Sequence, residues 1–230
     1  MNSDKTTSRL LGVAFLLVIA TSALSGALRT SVVGSGSMSD ILVNISANLA
    51  QWRSSIVVEL LTSIGIVVLA ALLYAVLKKQ NRTLALVGLG WWLAEAITLA
   101  VSKLGSYALI PVSLEFVEAG APEASHFQTL GNFLYHVVDR QGNDLHMLFY
   151  CLGGVLWFYL FYRARNIPRV ISIPGMAMES VALVGMVFLL LGASVSMWVF
   201  YPLLALELAV GLWLLIKGAS AGSGVKQHVA

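Results

Sequence analysis

Between Leu10 and Leu28 the chain carries no charged residue, and five more runs of similar length are almost as apolar. At about 1.5 Å of rise per residue, a run of this length crosses a hydrocarbon layer of about 30 Å as one helix. A backbone placed in lipid must satisfy its own hydrogen bonds, so runs like these have helices as their outlet. Hydrophobic residues make up 58% of the chain and charged ones 11%, against about 45 to 50% and about 25% in soluble domains. One water-soluble core cannot hide that much apolar surface. The expected fold class is therefore all-α, a polytopic membrane protein with a six-helix transmembrane bundle and two amphipathic helices in its outer loops.

The spans fall near 10–28, 54–77, 83–105, 145–162, 170–192 and 196–216, in a single membrane domain over 1–217. A flexible cytoplasmic tail follows at 218–230, rich in Gly, Ser and Ala. The first span competes with a signal-peptide reading, because small residues follow its apolar centre; Ser22 and Gly26, four apart, would equally form a face for close helix packing. In the first long connection Ile41, Leu42, Ile45, Leu49 and Trp52 recur at helical spacing. Ser39 and Asp40 are available to cap, so a short amphipathic helix on the membrane surface is expected there. Phe127, Leu130, Leu134, Val137 and Val138 mark a second, over about Pro122 to Arg140. Pro174 and Pro202 fall in the first turns of spans five and six, where a missing amide donor costs little.

Lys and Arg set the orientation. A cytoplasmic N-terminus leaves Lys5, Arg9, Lys78, Lys79, Arg82, Arg163, Arg165, Arg169, Lys217 and Lys226 inside, and only Arg29, Arg53, Lys103 and Arg140 outside. Both termini are then cytoplasmic, and both long loops face out. The basic residues are dispersed at span ends and form no basic face with interleaved aromatics, which argues against nucleic acid as a partner. Cys151 is the single cysteine, so no intramolecular disulfide and no cysteine metal cage can form.

The segments RLLGVAFLLVIATSALSG (Arg9–Gly26), WWLAEA (Trp91–Ala96) and FYLFYRARNIPRVISIPGM (Phe158–Met176) resemble a bacterial family of six-helix membrane proteins, domain of unknown function 4386. The resemblance covers about Arg9 to Ile216, and its most specific part is the Tyr-Arg-x-Arg-x-Ile-Pro-Arg segment leading into span five. It implies the fold and the topology. It implies no catalytic residue, since the family carries no established activity. Family members hold an Arg one turn before the acid of span three; Trp91 or Trp92 stands there in this chain, which sets any shared role of Glu95 apart.

The apolar rule is broken by four acids. Glu95, Glu179 and Glu207 lie near the middle of spans three, five and six, and Glu59 lies nearer the outer end of span two. A charge at the centre of a membrane helix costs on the order of 3 kcal/mol. Three midplane acids with no midplane base must be protonated, share protons, hold a cation or face water. One reading makes each a neutral, hydrogen-bonded pin between helices; the other gathers them into a polar cavity that binds a small ligand, a proton or a cation. Trp91, Thr98 and Ser102 share the face of Glu95, and Tyr150 lies one turn below His146 on span four, so these join the candidate ligand-binding or ion-binding set. Lys103 and Arg53 stand near the outer ends of their spans, as counter-ions to Glu59 or to the acidic loops, or as snorkelling surface residues.

A metal set is the second possibility, with His146, His136, Asp139 and Asp144 on the outer side. Nucleophilic catalysis has less support: no Gly-x-Ser-x-Gly elbow is present, and Cys151 has no basic neighbour in sequence. The expected function is that of a non-enzymatic binding bundle, a sensor or a transporter, with no cofactor indicated. The alternatives are a membrane enzyme with an outward metal site and a structural subunit that meets a protein partner or a second copy of itself. Spans one to three and four to six show no inverted repeat, which favours the sensor.

Overall fold

The computed structural model describes residues 2–122 and 126–218, the side chains of 2–5 aside. The expected tail, from residue 219 on, and Glu123 lie outside the described residues. The described chain is helical throughout and contains no strand. Its elements are α1 (Asn2–Val33), α2 (Met38–Ala47), α3 (Leu49–Leu77), α4 (Arg82–Glu118) and α5 (His126–Asn132), then a π-helix (Phe133–Gln141), α6 (Gly142–Ala164), α7 (Arg169–Leu190), a 3₁₀ turn (Met197–Val199) and α8 (Tyr201–Lys217). Six helices among the described residues are long and apolar enough to cross a membrane: Thr6–Val33, Leu49–Leu77, Arg82–Glu118, His126–Ala164, Arg169–Leu190 and Met197–Lys217. The all-α polytopic fold is the one expected from the apolar runs, and the order of the six spans agrees.

On α4 the split between lipid and protein follows helical spacing. Ile97, Val101 and Leu104 are exposed, whereas Glu95, Leu99, Ser102, Lys103 and Ser106 are buried. On α3, Val57, Leu61, Ile64 and Val68 form a similar exposed stripe. Large apolar side chains in continuous stripes along long helices are what a bilayer covers. Pro174 lies in the first turns of α7 and Pro202 at the start of α8, as expected.

Two boundaries differ from expectation. Helix α4 does not stop near Gly105; it runs unbroken through Pro111 to Glu118. Its 37 residues reach about 55 Å, well beyond a hydrocarbon layer. The second long connection therefore loses its first residues to α4, and just past that helix Ala121 adopts a positive φ of 52°. The return is not one uniform amphipathic helix either, but α5 followed by a π-helix that runs directly into α6.

The chain divides into two compact units. The first comprises Met1–Leu16, Val68–Trp91 and Cys151–Ala230. In it, a Cβ on Gly12 of α1 would lie 2.5 Å from the backbone nitrogen of Leu215 and 2.7 Å from the carbonyl oxygen of Gly211, both on α8. Small residues let two helix backbones touch here. The close approach expected at Ser22 and Gly26 is not made: Ser22 is exposed, and a Cβ on Gly26 would meet nothing within 4 Å.

The second unit comprises Leu17–Val67 and Trp92–Tyr150. Its core joins Val32, Met38, Ile41, Leu42, Ile45, Trp52, Ile56, Leu109, Ile110, Val112, Phe116 and Tyr135. Helix α2 is thus not a surface helix lying on lipid: its apolar face is buried by protein, with Leu42 and Ile45 fully enclosed. It is capped by Ser37, two residues earlier than Ser39. The Ser37 hydroxyl accepts from the Asp40 amide, and the Asp40 carboxylate accepts from the Ser37 amide at 2.7 Å, a complete capping box. The Ser37 hydroxyl donating to that carboxylate at 2.7 Å, together with the Ser37 amide, holds the Asp40 carboxyl below its ordinary range.

Candidate functional site: a buried charged junction

Asp139 is fully enclosed within the second unit and is held by side chains from two other helices. Lys103 Nζ on α4 lies 2.7 Å from Asp139 Oδ1. Arg29 on α1 approaches from the other side, with Nη2 2.5 Å from Oδ2 and Nη1 3.3 Å from Oδ1, a two-pronged grip on the carboxylate. The Ser106 hydroxyl donates to Oδ2 at 2.5 Å. Lys103 and Ser106 are three apart, so one face of α4 presents both.

Local structure explains why the carboxylate arrives there. The π-helix carries one residue more per turn than an α-helix, which shifts the faces of the residues that follow it. Tyr135 and Asp139 are its buried residues. Gly105 makes room on α4: a Cβ there would sit 2.5 Å from the Leu134 carbonyl oxygen and 2.8 Å from the Asp139 nitrogen. Gly142, just past the π-helix, packs as tightly, its absent Cβ falling 2.8 Å from that of Ser102. The irregular backbone is thus clamped onto the face of α4 that carries Ser102, Lys103 and Ser106.

A second layer holds the first. The Arg29 guanidinium lies over the Tyr135 ring, 5.1 Å from its centroid. The Trp52 indole on α3 donates to the Ser106 carbonyl at 2.9 Å, and Trp52 is itself fully buried. Ser25 on α1 donates to the Ser55 carbonyl on α3 at 3.0 Å. Asp139 and Lys103 are closed off, whereas the Arg29 side chain keeps 22% of its exposure. The junction formally holds two positive charges and one negative.

The acids singled out in the apolar runs are distributed differently. Glu95 and Glu179 are buried, at 4% and 1% exposure, and Glu59 and Glu207 are half-buried. In the first unit the carboxyl of Glu179 rests on Gly154 of α6, where an added Cβ would lie 2.5 Å from Cδ. In the second unit Ser102 turns its hydroxyl to the Leu99 carbonyl at 2.7 Å. Tyr150 is buried; its ring stacks on Trp92 with centroids 6.0 Å apart, and its carbonyl accepts from the Trp92 indole at 3.1 Å. Trp91 and Thr98 are half-buried.

The histidines and aspartates expected as a metal set are not gathered into one. Asp139 is engaged by Arg29, Lys103 and Ser106. His136 is exposed and meets the Tyr135 ring edge-on, and the Nδ1 of His146 meets the Asn143 carbonyl. Among the described residues no group of three or more His, Cys, Asp and Glu is positioned to hold a metal ion.

Of the junction, Asp139 stood in the sequence as a metal ligand, and Lys103 as a counter-ion to Glu59 or to the acidic loops or as a snorkelling surface residue; in the structure Lys103 is buried against Asp139. Arg29 was passed over as an outer charge. The available signal was Lys103 and Ser106 lying in helical register with Glu95 and Ser102, which becomes meaningful once α4 is known to continue past Gly105.

The architecture agrees with what similarity to other chains indicates. Comparison with curated proteins and with solved structures finds no match. The profile of one family matches residues 10–218, nearly the whole chain. That span includes every residue of the charged junction and both spans that carry Glu179 and Glu207. The chain belongs to the family described as domain of unknown function (DUF4386).

Proposed function

We propose that this protein is a non-enzymatic membrane binding bundle, a sensor or a transporter, whose ligand is a small anion engaged at the Arg29–Lys103–Asp139 junction. The observation that carries this reading is one enclosed carboxylate gripped by two basic side chains from two other helices. Ionisable groups inside membrane helices are costly, and where they occur they mark ligand or ion pathways. Three further observations support it. The junction holds one positive charge in formal excess. Its accessible edge is a guanidinium, which suits carboxylate ligands. Its acid sits on a π-helix, a form frequent at functional sites. A ligand carboxylate competing with Asp139 for Arg29 would loosen the hold of the π-helix on α1, which gives binding a conformational output.

The buried acids form the second part of the reading. Glu95 and half-buried Glu59, with Thr98, Ser102 and Tyr150 of the same unit, take part in binding a proton or cation in the second unit, and in the first unit Glu179, half-buried Glu207 and Trp91 form a separate candidate set. Their burial and the cost of a bare charge in lipid support this. The bundle sits in a bacterial inner membrane with both termini in the cytoplasm, supported by the ten-to-four distribution of Lys and Arg. In a Cys151→Ser background, a cysteine at Ala119 should react with an impermeant maleimide from outside intact cells and one at Gln80 should not; the reverse pattern would invert the topology.

Thermal unfolding of the detergent-purified protein tests the binding reading. Acetate, succinate and benzoate are titrated as sodium salts, with sodium chloride at equal ionic strength as control. At least one carboxylate should raise the midpoint saturably in the wild type, and the rise should disappear in Lys103→Met and in Arg29→Gln. Midpoints that follow ionic strength alone, or carboxylate shifts that persist in both variants, would rule the anion site out.

A further inference from the structure

Within the first unit, the turn between α6 and α7 and Trp213 of α8 border an open pocket of about 410 Å³ lined by Arg165, Asn166, Ile167, Pro168, Arg169 and Trp213. That volume falls in the range of small-ligand sites. Its lining supplies hydrogen-bond donors and no carboxylate: two guanidiniums, the Asn166 amide and the Trp213 indole. The Trp213 Nε1 is buried and has no hydrogen-bond partner among the described residues. An indole nitrogen only donates, so leaving it buried and unmatched is costly. An acceptor supplied from outside the chain would remove that cost.

Two backbone features mark the same turn. Helix α7 begins at Pro168, whose side chain makes no capping bond, so the N-terminus of α7 has no side-chain acceptor from its own cap residue. Arg165 holds a left-handed conformation, φ 54°, a position where glycine is the ordinary choice. Arg169 is steadied by the Tyr162 ring, 5.2 Å from its guanidinium carbon. Ile167 and Pro168 add apolar side chains to the same lining. The turn joins two candidate spans, and the ends of membrane spans face the headgroup region.

We propose that this pocket binds a phosphate-type anion, held by Arg165 and Arg169 and fixed by the Trp213 N–H. Phosphate offers several acceptor oxygens, and each guanidinium can meet two of them in parallel. The Asn166 amide and the amides opening α7 complete the donor set. Both an anionic phospholipid headgroup and free inorganic phosphate carry this chemistry. The site uses none of the residues of the Asp139 junction and stands independently of it.

Native mass spectrometry of the full-length protein released from detergent tests the proposal, with phosphatidylglycerol, phosphatidylcholine and inorganic phosphate added separately. Arg165→Gly removes the charge and suits the left-handed backbone, Arg169→Gln keeps length, and Trp213→Phe keeps the ring without the N–H. Phosphatidylglycerol adducts that exceed phosphatidylcholine adducts assign the site to a lipid headgroup; adducts of inorganic phosphate assign it to the free anion. In either case Arg165→Gly/Arg169→Gln should weaken the adduct about tenfold or more, and Trp213→Phe should weaken it several-fold. Arg165→Lys should retain part of it. Adducts equal in the wild type and the double variant, equal retention of both lipids without phosphate binding, or no adduct with any probe while the wild type unfolds as one folded species, would overturn the proposal.

Discussion

Asp139 shows how one residue can carry different meanings in sequence and in structure. In the sequence it stands among His136, His146 and Asp144, a composition that fits a metal. In the fold its neighbours come from far along the chain, Arg29 from α1 and Lys103 and Ser106 from α4. Chain spacing cannot reveal that meeting, because it depends on which faces of three helices turn together. Trp52 has a comparable role: its side chain reads as one point of an amphipathic stripe, yet its indole nitrogen closes on the Ser106 carbonyl beside the junction. Replacing Trp52 with Phe keeps most of the packing and removes that bond, while the Ser106 carbonyl keeps its place in the α4 ladder. Unfolding in mixed micelles should show a loss of about 0.5 to 1.5 kcal/mol; a loss near zero would mean that the bond contributes nothing.

Among the elements, the six spans were legible because a bilayer imposes one strong rule on length and polarity. The ends were not. Gly105 and Pro111 look like helix breakers, and both are inside α4. Gly105 is there because the π-helix backbone lies against it, so Gly105→Ala should force the two apart. The expected cost is about 1 to 3 kcal/mol, since the obstructing atoms are backbone; a variant as stable as the wild type would mean that the π-helix can move away freely. For α2 the amphipathic pattern was correct, but a pattern cannot say whether its apolar face meets lipid or protein. Its capping box gives a pH signature. Because folding lowers the Asp40 carboxyl below its ordinary value of 3.8, the bond stabilises above that value and is lost as pH falls through the lowered one. Amide exchange across α2 should accelerate in that acid range in the wild type, and Asp40→Asn should remove the pH dependence while leaving α2 exchanging faster throughout.

For the molecule as a whole, the apolar runs and the segments leading into spans three and five were enough to identify the family and the all-helical membrane fold, which residues 10–218 bear out. The acids that stand out in those runs gave a less complete account. Glu95 and Glu179 are indeed buried, but the buried ion pairs that the described residues do form lie further along, where α4 outruns its expected end and Lys103 and Arg29 grip Asp139. Within the second unit the junction ties together three helices that share no local contacts in sequence. The most direct test of that claim is a double-mutant cycle between Lys103 and Asp139, using Lys103→Met, Asp139→Asn and the pair, measured by reversible unfolding in mixed micelles. Asp139→Asn should lose about 3 to 5 kcal/mol by leaving the buried Lys103 without its counterpart, Lys103→Met should lose less because Arg29 still grips the carboxylate, and the pair should lose less than the sum by about 1 kcal/mol or more. Strictly additive losses would show that the two side chains do not act on each other, and would contradict the charged junction on which the functional reading rests.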